Sequence, residues 1–170
     1  MILDTAASVD LTRIQTPWLL GPVKWSDKMI RRAVFWLCKK LDKPILKLTE
    51  RAKKSADHAY VPFTNNPTGC ALLVDENLIF GGCNIENSVL NCSADAGEVA
   101  VYKAISEGYT NFRAICFYSK QLMPFPSGKV RQLLAEFNQT IQIITATDDT
   151  YNMNTLNELL PFAPETPDIE

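Results

Sequence analysis

Gly82-Cys83-Asn84-Ile85-Glu86-Asn87, running on through Ser93-Ala94 into Asp95-Ala96-Gly97-Glu98, and the later run Pro126-Ser127-Gly128-Lys129-Val130-Arg131-Gln132 are the stretches whose reading decides the fold. Asp95 with Glu98 fits an Asp version of the capping box, and Ala96 to Glu107 reads as a helix stopped by Gly108, a residue suited to the left-handed position past a helix end. Ser127 is a natural N-cap for a second helix over Gly128 to Phe137. Outward from these, Ile45 to Tyr60 reads as a helix. Cys70 to Val74 and Leu78 to Gly82 read as strands around Asp75-Glu76-Asn77, and Phe112 to Tyr118 and Ile141 to Thr145 as two more. Thr155 and Glu158 form the S/T-x-x-E pattern before a short last helix. Strands alternating with helices predict an α/β sandwich.

The same stretches resemble the small homotetrameric cytidine deaminases, and the resemblance runs from about Leu48 to Pro161. Ala52-Lys53-Lys54-Ser55-Ala56 and Ala59-Tyr60-Val61-Pro62-Phe63 look like the end of the family's first helix and the loop after it. Gly82 to Asn87 looks like its ribose-binding segment, and Ala104-Ile105-Ser106-Glu107-Gly108-Tyr109 with Phe112-Arg113-Ala114-Ile115 like its second helix and third strand. Val130 to Phe137 and Glu158-Leu159-Leu160-Pro161 resemble the last helical segments. The resemblance implies a three-layer α/β/α sandwich around a mixed five-stranded sheet. It also implies self-association, with Ser88 to Asn91 as the segment lent to neighbouring subunits.

What departs from the family is its chemistry. The zinc deaminase signature is a ligand, any residue and a glutamate, followed later by Pro-Cys-x-x-Cys. The resemblance puts Asp95, Ser127 and Val130 at the three ligand positions and Gly97 at that of the proton-shuttling glutamate. A carboxylate is an ordinary zinc ligand; a serine hydroxyl is not normally ionised at neutral pH, and valine has no donor. Structural zinc in small peptides binds with about 10–16 kcal/mol, so losing two of three strong donors removes most of any comparable affinity. General acid–base catalysis, worth about 10²–10⁴-fold, goes with the glutamate. Glu98 stands where the family usually has an arginine. The expectation is a protein without zinc and without catalysis, in which Lys129 reaches Asp95 or Glu98 and a salt bridge stands in for the metal.

Asn84 and Glu86 match the pair that hydrogen-bonds the sugar in the family, and alternation along a strand end puts both on one face. Two readings stay open: a nucleoside still binds, or the polar strand end is kept to satisfy backbone near a subunit contact. Asn66 stands where the family has a base-stacking aromatic and Pro164 near its C-terminal phenylalanine, so Phe63 or Phe162 has to substitute if a base is held. His58, the one histidine, finishes a helix. Cys83, Cys92 and Asp95 match no known ligand spacing for a rearranged metal site.

The remaining features bound the class. With 170 residues, 46% hydrophobic, 21% charged and a net charge of -2, the chain lacks the basic excess of a nucleic-acid binder. No apolar run approaches the roughly 20 residues that span a bilayer, and Met1 to Asp10 lacks the pattern of a signal peptide. An intracellular, reducing location is the default. The five cysteines, odd in number and set in apolar strings, read as buried free thiols.

Residues 1–44 read as an extension, 45–164 as the deaminase-like body and 165–170 as an acidic tail. After Ser26, Ile30, Ala33, Val34, Leu37, Cys38 and Leu41 keep amphipathic helical spacing, with basic residues opposite and Pro44 as terminator. Such a helix packs on its own body, docks onto another protein or lies on a membrane surface. Trp25, Arg32, Phe35 and Trp36 favour the protein partner over the membrane, because aromatics and arginine are enriched at interface cores. The function read here is a non-catalytic structural or interaction subunit of a larger assembly. Its alternatives are a nucleoside-binding regulatory pseudoenzyme paired with an active paralogue, and a zinc deaminase with atypical ligands.

Overall fold

In the computed structural model the chain is described over residues 45–75 and 78–163. The N-terminal extension with Trp25, Arg32, Phe35 and Trp36, the pair Glu76 and Asn77, Pro164 and the acidic tail lie outside the described residues. Helix α1 covers 45–56. It is followed by β1 (Thr68–Val74), β2 (Leu78–Cys83), a 3-10 turn at Leu90–Cys92, α2 (Ala96–Ser106), β3 (Phe112–Ser119), α3 (Gly128–Ala135), β4 (Gln142–Ala146), β5 (Tyr151–Thr155) and α4 (Leu156–Leu159). The sheet order is β2-β1-β3-β4-β5, with β3 and β4 parallel and the other neighbours antiparallel. This is the mixed five-stranded sheet expected.

Side-chain alternation along the central strands divides the core in two. On β3, Ala114, Cys116 and Tyr118 face α1 and pack with Leu48, Ala52 and Ala56. Ile115 and Phe117 face the opposite layer, where Val101 and Ala104 of α2, Val130 and Leu134 of α3 and Leu156 of α4 cover them. With both faces covered, β3 is a nearly continuous buried run rather than an alternating one. Among the described residues no helix is long and apolar enough to cross a membrane.

Several boundaries differ from the expectation for physical reasons. Helix α1 stops at residue 56, not Tyr60, because the Tyr60 backbone is engaged elsewhere: its N–H donates to Asn84 O at 3.1 Å and its carbonyl accepts from Glu86 N at 2.8 Å. Helix α3 ends at Ala135, two residues before Phe137. Strand β5 was not legible as a strand, since Asn152 and Asn154 are poor strand formers at an edge. It forms through its register with β4, in which Met153 lies opposite Ile144. Cys70 and Cys116 are buried free thiols, but Cys83 is half-buried and Cys92 exposed, since both fall at or beyond the end of β2. Burial raises the Cys116 thiol to about 11.

Gly82 sets where α2 sits. A Cβ there would lie 2.3 Å from Ala96 O and 2.5 Å from Ala100 N, so only glycine lets α2 lie this close on β2. An isolated antiparallel bridge between Ile85 and Ala94 then fixes the chain just before Asp95. Gly108 has φ of 88°, the left-handed conformation expected past the end of α2.

Candidate functional site

The N-termini of α2 and α3 meet beside a cleft of ≈ 280 Å³, whose polar wall includes Asn66, Thr68, Asn84, Ser119, Asp95 and Ser127. The buried Gly97, Phe117 and Val130 line it too, as do the more exposed Leu122, Met123, Pro124 and Phe125. Each helix start leaves N–H groups unpaired and carries about half a positive charge. Here those needs are met by side chains.

At α2, Asp95 and Glu98 form the expected capping box, with Glu98 Oε2 accepting from the Asp95 N–H at 3.0 Å. At α3, Ser127 Oγ accepts from Val130 N at 3.3 Å and donates to Asp95 Oδ2 at 2.5 Å. Lys129 Nζ then reaches Glu98 Oε1 at 2.6 Å. Of the two carboxylates open to Lys129 in the sequence, the buried one is chosen. Glu98 is 3% exposed and also accepts from Tyr102 OH at 3.3 Å. Burial alone raises its carboxyl, but the Asp95 N–H and the Lys129 ammonium outweigh burial and leave it below the ordinary glutamate value.

The side chains at the three family ligand positions do not fit a tetrahedral zinc centre. Asp95 is spent on Ser127 and on its helix start; Ser127 is spent as donor to Asp95 and acceptor from Val130. Val130 is buried hydrocarbon at 1% exposure, packed in the same core cluster as Phe117. Among the described residues no group of three His, Cys, Asp or Glu side chains is placed to hold a metal, so Cys83, Cys92 and Asp95 form no alternative site.

The two residues matched to sugar binding both bond the 63–66 loop. Asn84 lines the cleft, but its amide is committed to backbone: Oδ1 accepts from Thr68 N at 2.8 Å and Nδ2 donates to Asn66 O at 3.1 Å. Glu86 does not line the cleft. Its Oε2 accepts from Phe63 N at 2.8 Å and Thr64 N at 3.2 Å, and its Oε1 accepts from Thr64 Oγ1. The Thr64 hydroxyl and these N–H groups hold its carboxyl below the ordinary value. Phe63 is 64% exposed and does not line the cleft. Past the end of β2 the chain stays extended through the bridges at Ile85, and Asn84 and Glu86 both hold the 63–66 loop, though only Asn84 lines the cleft. Phe162 is 94% exposed. His58 is exposed just past α1, its N–H on Ser55 O at 3.1 Å.

Sequence reasoning missed the part of the lining at residues 122–125. Its signal was the run Leu122-Met123-Pro124-Phe125-Pro126, where two prolines hold an apolar stretch extended ahead of a helix cap. Also unread was Asp148, which accepts from Tyr118 OH at 2.9 Å and pairs with Lys53, tying α1 to the β4–β5 turn.

A family model described as the cytidine and deoxycytidylate deaminase zinc-binding region matches residues 15–117, reaching back into the segment read as an extension. A cytidine deaminase of Sporosarcina psychrophila is 37% identical over 120 residues, spanning 69% of this chain and 88% of the relative. A probable cytidine deaminase of Dictyostelium discoideum is 32% identical over 117 residues, 68% of this chain and 80% of the relative. Among solved structures, the cytidine deaminase of Burkholderia pseudomallei superposes with a TM-score of 0.66 at 29% identity, over 69% of this chain and 96% of that one. With the sheet order, the paired helix N-termini and these matches in agreement, the chain belongs to the cytidine deaminase family.

Proposed function

We propose that this chain is a non-catalytic cytidine-deaminase-like protein that holds no zinc and serves as a structural or interaction subunit of a larger assembly. The observation that carries the reading is the donor set: one carboxylate, one hydroxyl already used twice, and a buried valine at the three ligand positions. Glycine at the proton-shuttling position removes the other half of the chemistry. Asp95, Glu98 and Ser127 together answer the needs of two helix N-termini and Lys129 pairs with the buried Glu98, which gives these residues a role that requires no substrate. In this reading the partner is a protein held by the N-terminal extension through Trp25, Arg32, Phe35 and Trp36. The body self-associates or pairs with an active paralogue, in an intracellular setting.

The test is zinc content per chain on protein purified without chelator or histidine tag, together with a cytidine deamination assay on the same sample. Near-zero zinc with no deamination is expected. One tightly held zinc per chain with turnover would replace this reading by an atypical zinc deaminase.

A second reading, a nucleoside-binding regulator, is favoured by the cleft itself, which stays open with Asn84 on its wall. A bound nucleoside at 100 times its dissociation constant stabilises by about 2.7 kcal/mol. A rise in melting temperature with cytidine or uridine would support this reading, and an unchanged one would remove it.

A further inference from the structure

We infer that Gly97 and Val130 are an interlocked pair: the valine occupies the space that any side chain at position 97 would need, so no single change at 97 restores an acid–base group to this site. Gly97 lies in the first turn of α2, buried against α3 and β3. A Cβ built on it would come 2.7 Å from Val130 Cγ1, 2.9 Å from Phe117 Cε1 and 3.1 Å from Phe117 Cζ. Neither neighbour yields cheaply. Valine is branched at Cβ and holds essentially one rotamer in a helix, and the Val130 N–H is bound to the Ser127 cap at 3.3 Å. Phe117 is 3% exposed on the central strand, with Gly69 to Leu72 of β1 on one side and β4 on the other. A glutamate at 97 would have to displace these neighbours at its Cβ before its carboxylate could extend into the cleft.

The inference deepens the proposed reading of the same site, but its test measures neither zinc nor deamination, so the two can fail separately. The test is a double-mutant cycle on the full chain, read as the unfolding equilibrium constant from urea titration. Gly97→Ala in an uncrowded helix is stabilising, since alanine is the better helix former. Here overpacking outweighs that gain, and Gly97→Ala is expected to raise the unfolding constant about tenfold. In the Val130→Ala background, where Phe117 can relax into the vacated volume, Gly97→Ala is expected to leave the constant within about twofold or to lower it. The same factor in both backgrounds would overturn the interlock, as would a wild-type background in which Gly97→Ala is neutral or stabilising. Should Val130→Ala leave too little folded protein, Val130→Cys removes one branch instead of two, and the same comparison decides with a smaller expected difference.

Discussion

Glu98→Ala is the perturbation that best separates a structural joint from a residual catalytic site. The Glu98 side chain is almost wholly buried, yet three donors converge on it: Asp95 N–H at 3.0 Å, Lys129 Nζ at 2.6 Å and Tyr102 OH at 3.3 Å. The Asp95 contact is a charge-assisted hydrogen bond to a helix-start N–H, of a kind contributing about 1.5–3 kcal/mol. The Lys129 side chain is 69% exposed, so solvent screens the ion pair and it adds little. Removing the carboxylate also strands the Asp95 N–H, and the total loss is expected to be about 2–3 kcal/mol. For a chain of this size each kcal/mol moves the melting temperature by roughly 2–4 °C, so the shift is about 4–12 °C downward. Glu98→Gln keeps an acceptor for the capping box and is expected to recover more than half of the loss. Lys129→Met should cost clearly less than Glu98→Ala. The assay is urea unfolding of the three variants beside the wild-type chain. A Glu98→Ala loss below about 1 kcal/mol, or a Lys129→Met loss equal to it, would refute the view that the buried cap is what anchors the joint.

Two further outcomes follow from the geometry. Asn84→Ala removes the partners of Thr68 N and Asn66 O and is expected to cost about 1–2 kcal/mol in urea unfolding; no loss would mean these bonds contribute nothing, freeing Asn84 for a ligand. Glu98 and Asp148 both have carboxyls held below their ordinary values, the first against burial by Asp95 N–H and Lys129, the second by Lys53 and then Tyr118. Groups depressed in the folded state contribute stability above their unfolded values of about 4.3 and 3.9, and that stability is lost as pH falls through the folded values. Stability should therefore decline with acid below about pH 4, and Glu98→Gln should flatten that decline; an unchanged acid limb in Glu98→Gln would show that Glu98 is not among the groups responsible.

The sequence made most of this legible where a local rule has one physical meaning. Asp95 with Glu98, Ser127 and Thr155 with Glu158 announce helix starts because their side chains satisfy N–H groups that nothing else in reach satisfies. The Lys129 contact was legible as one of two choices, and burial decided between them. Other features were not legible because the answer is long-range. Strand β5 depends on its neighbour β4, not on its own composition. Asn84 and Glu86 are both taken up by the 63–66 loop, an engagement distant in sequence that their own spacing does not announce. Gly97 reads in the sequence only as a missing glutamate, whereas the packing of Val130 and Phe117 shows that the missing atoms have been replaced by others.

The fold persists with such a site because other contacts take over the metal's structural work. A metal bound between two helix N-termini does two jobs: it links the helices, and its thiolates set negative charge against their positive ends. Here the Ser127–Asp95 hydrogen bond does the linking, and the Asp95 and Glu98 carboxylates supply the charge. The apolar remainder is filled by Val130 within the main core cluster. Under the proposed reading, a zinc ion arriving at this position would meet no free donor among Asp95, Ser127 and Val130. To bind, it would have to take Asp95 from Ser127, and Val130 would still offer it no lone pair. Both costs act against binding, and the reading proposed above rests on them: the contacts that keep the two helices together are the ones a metal would have to break.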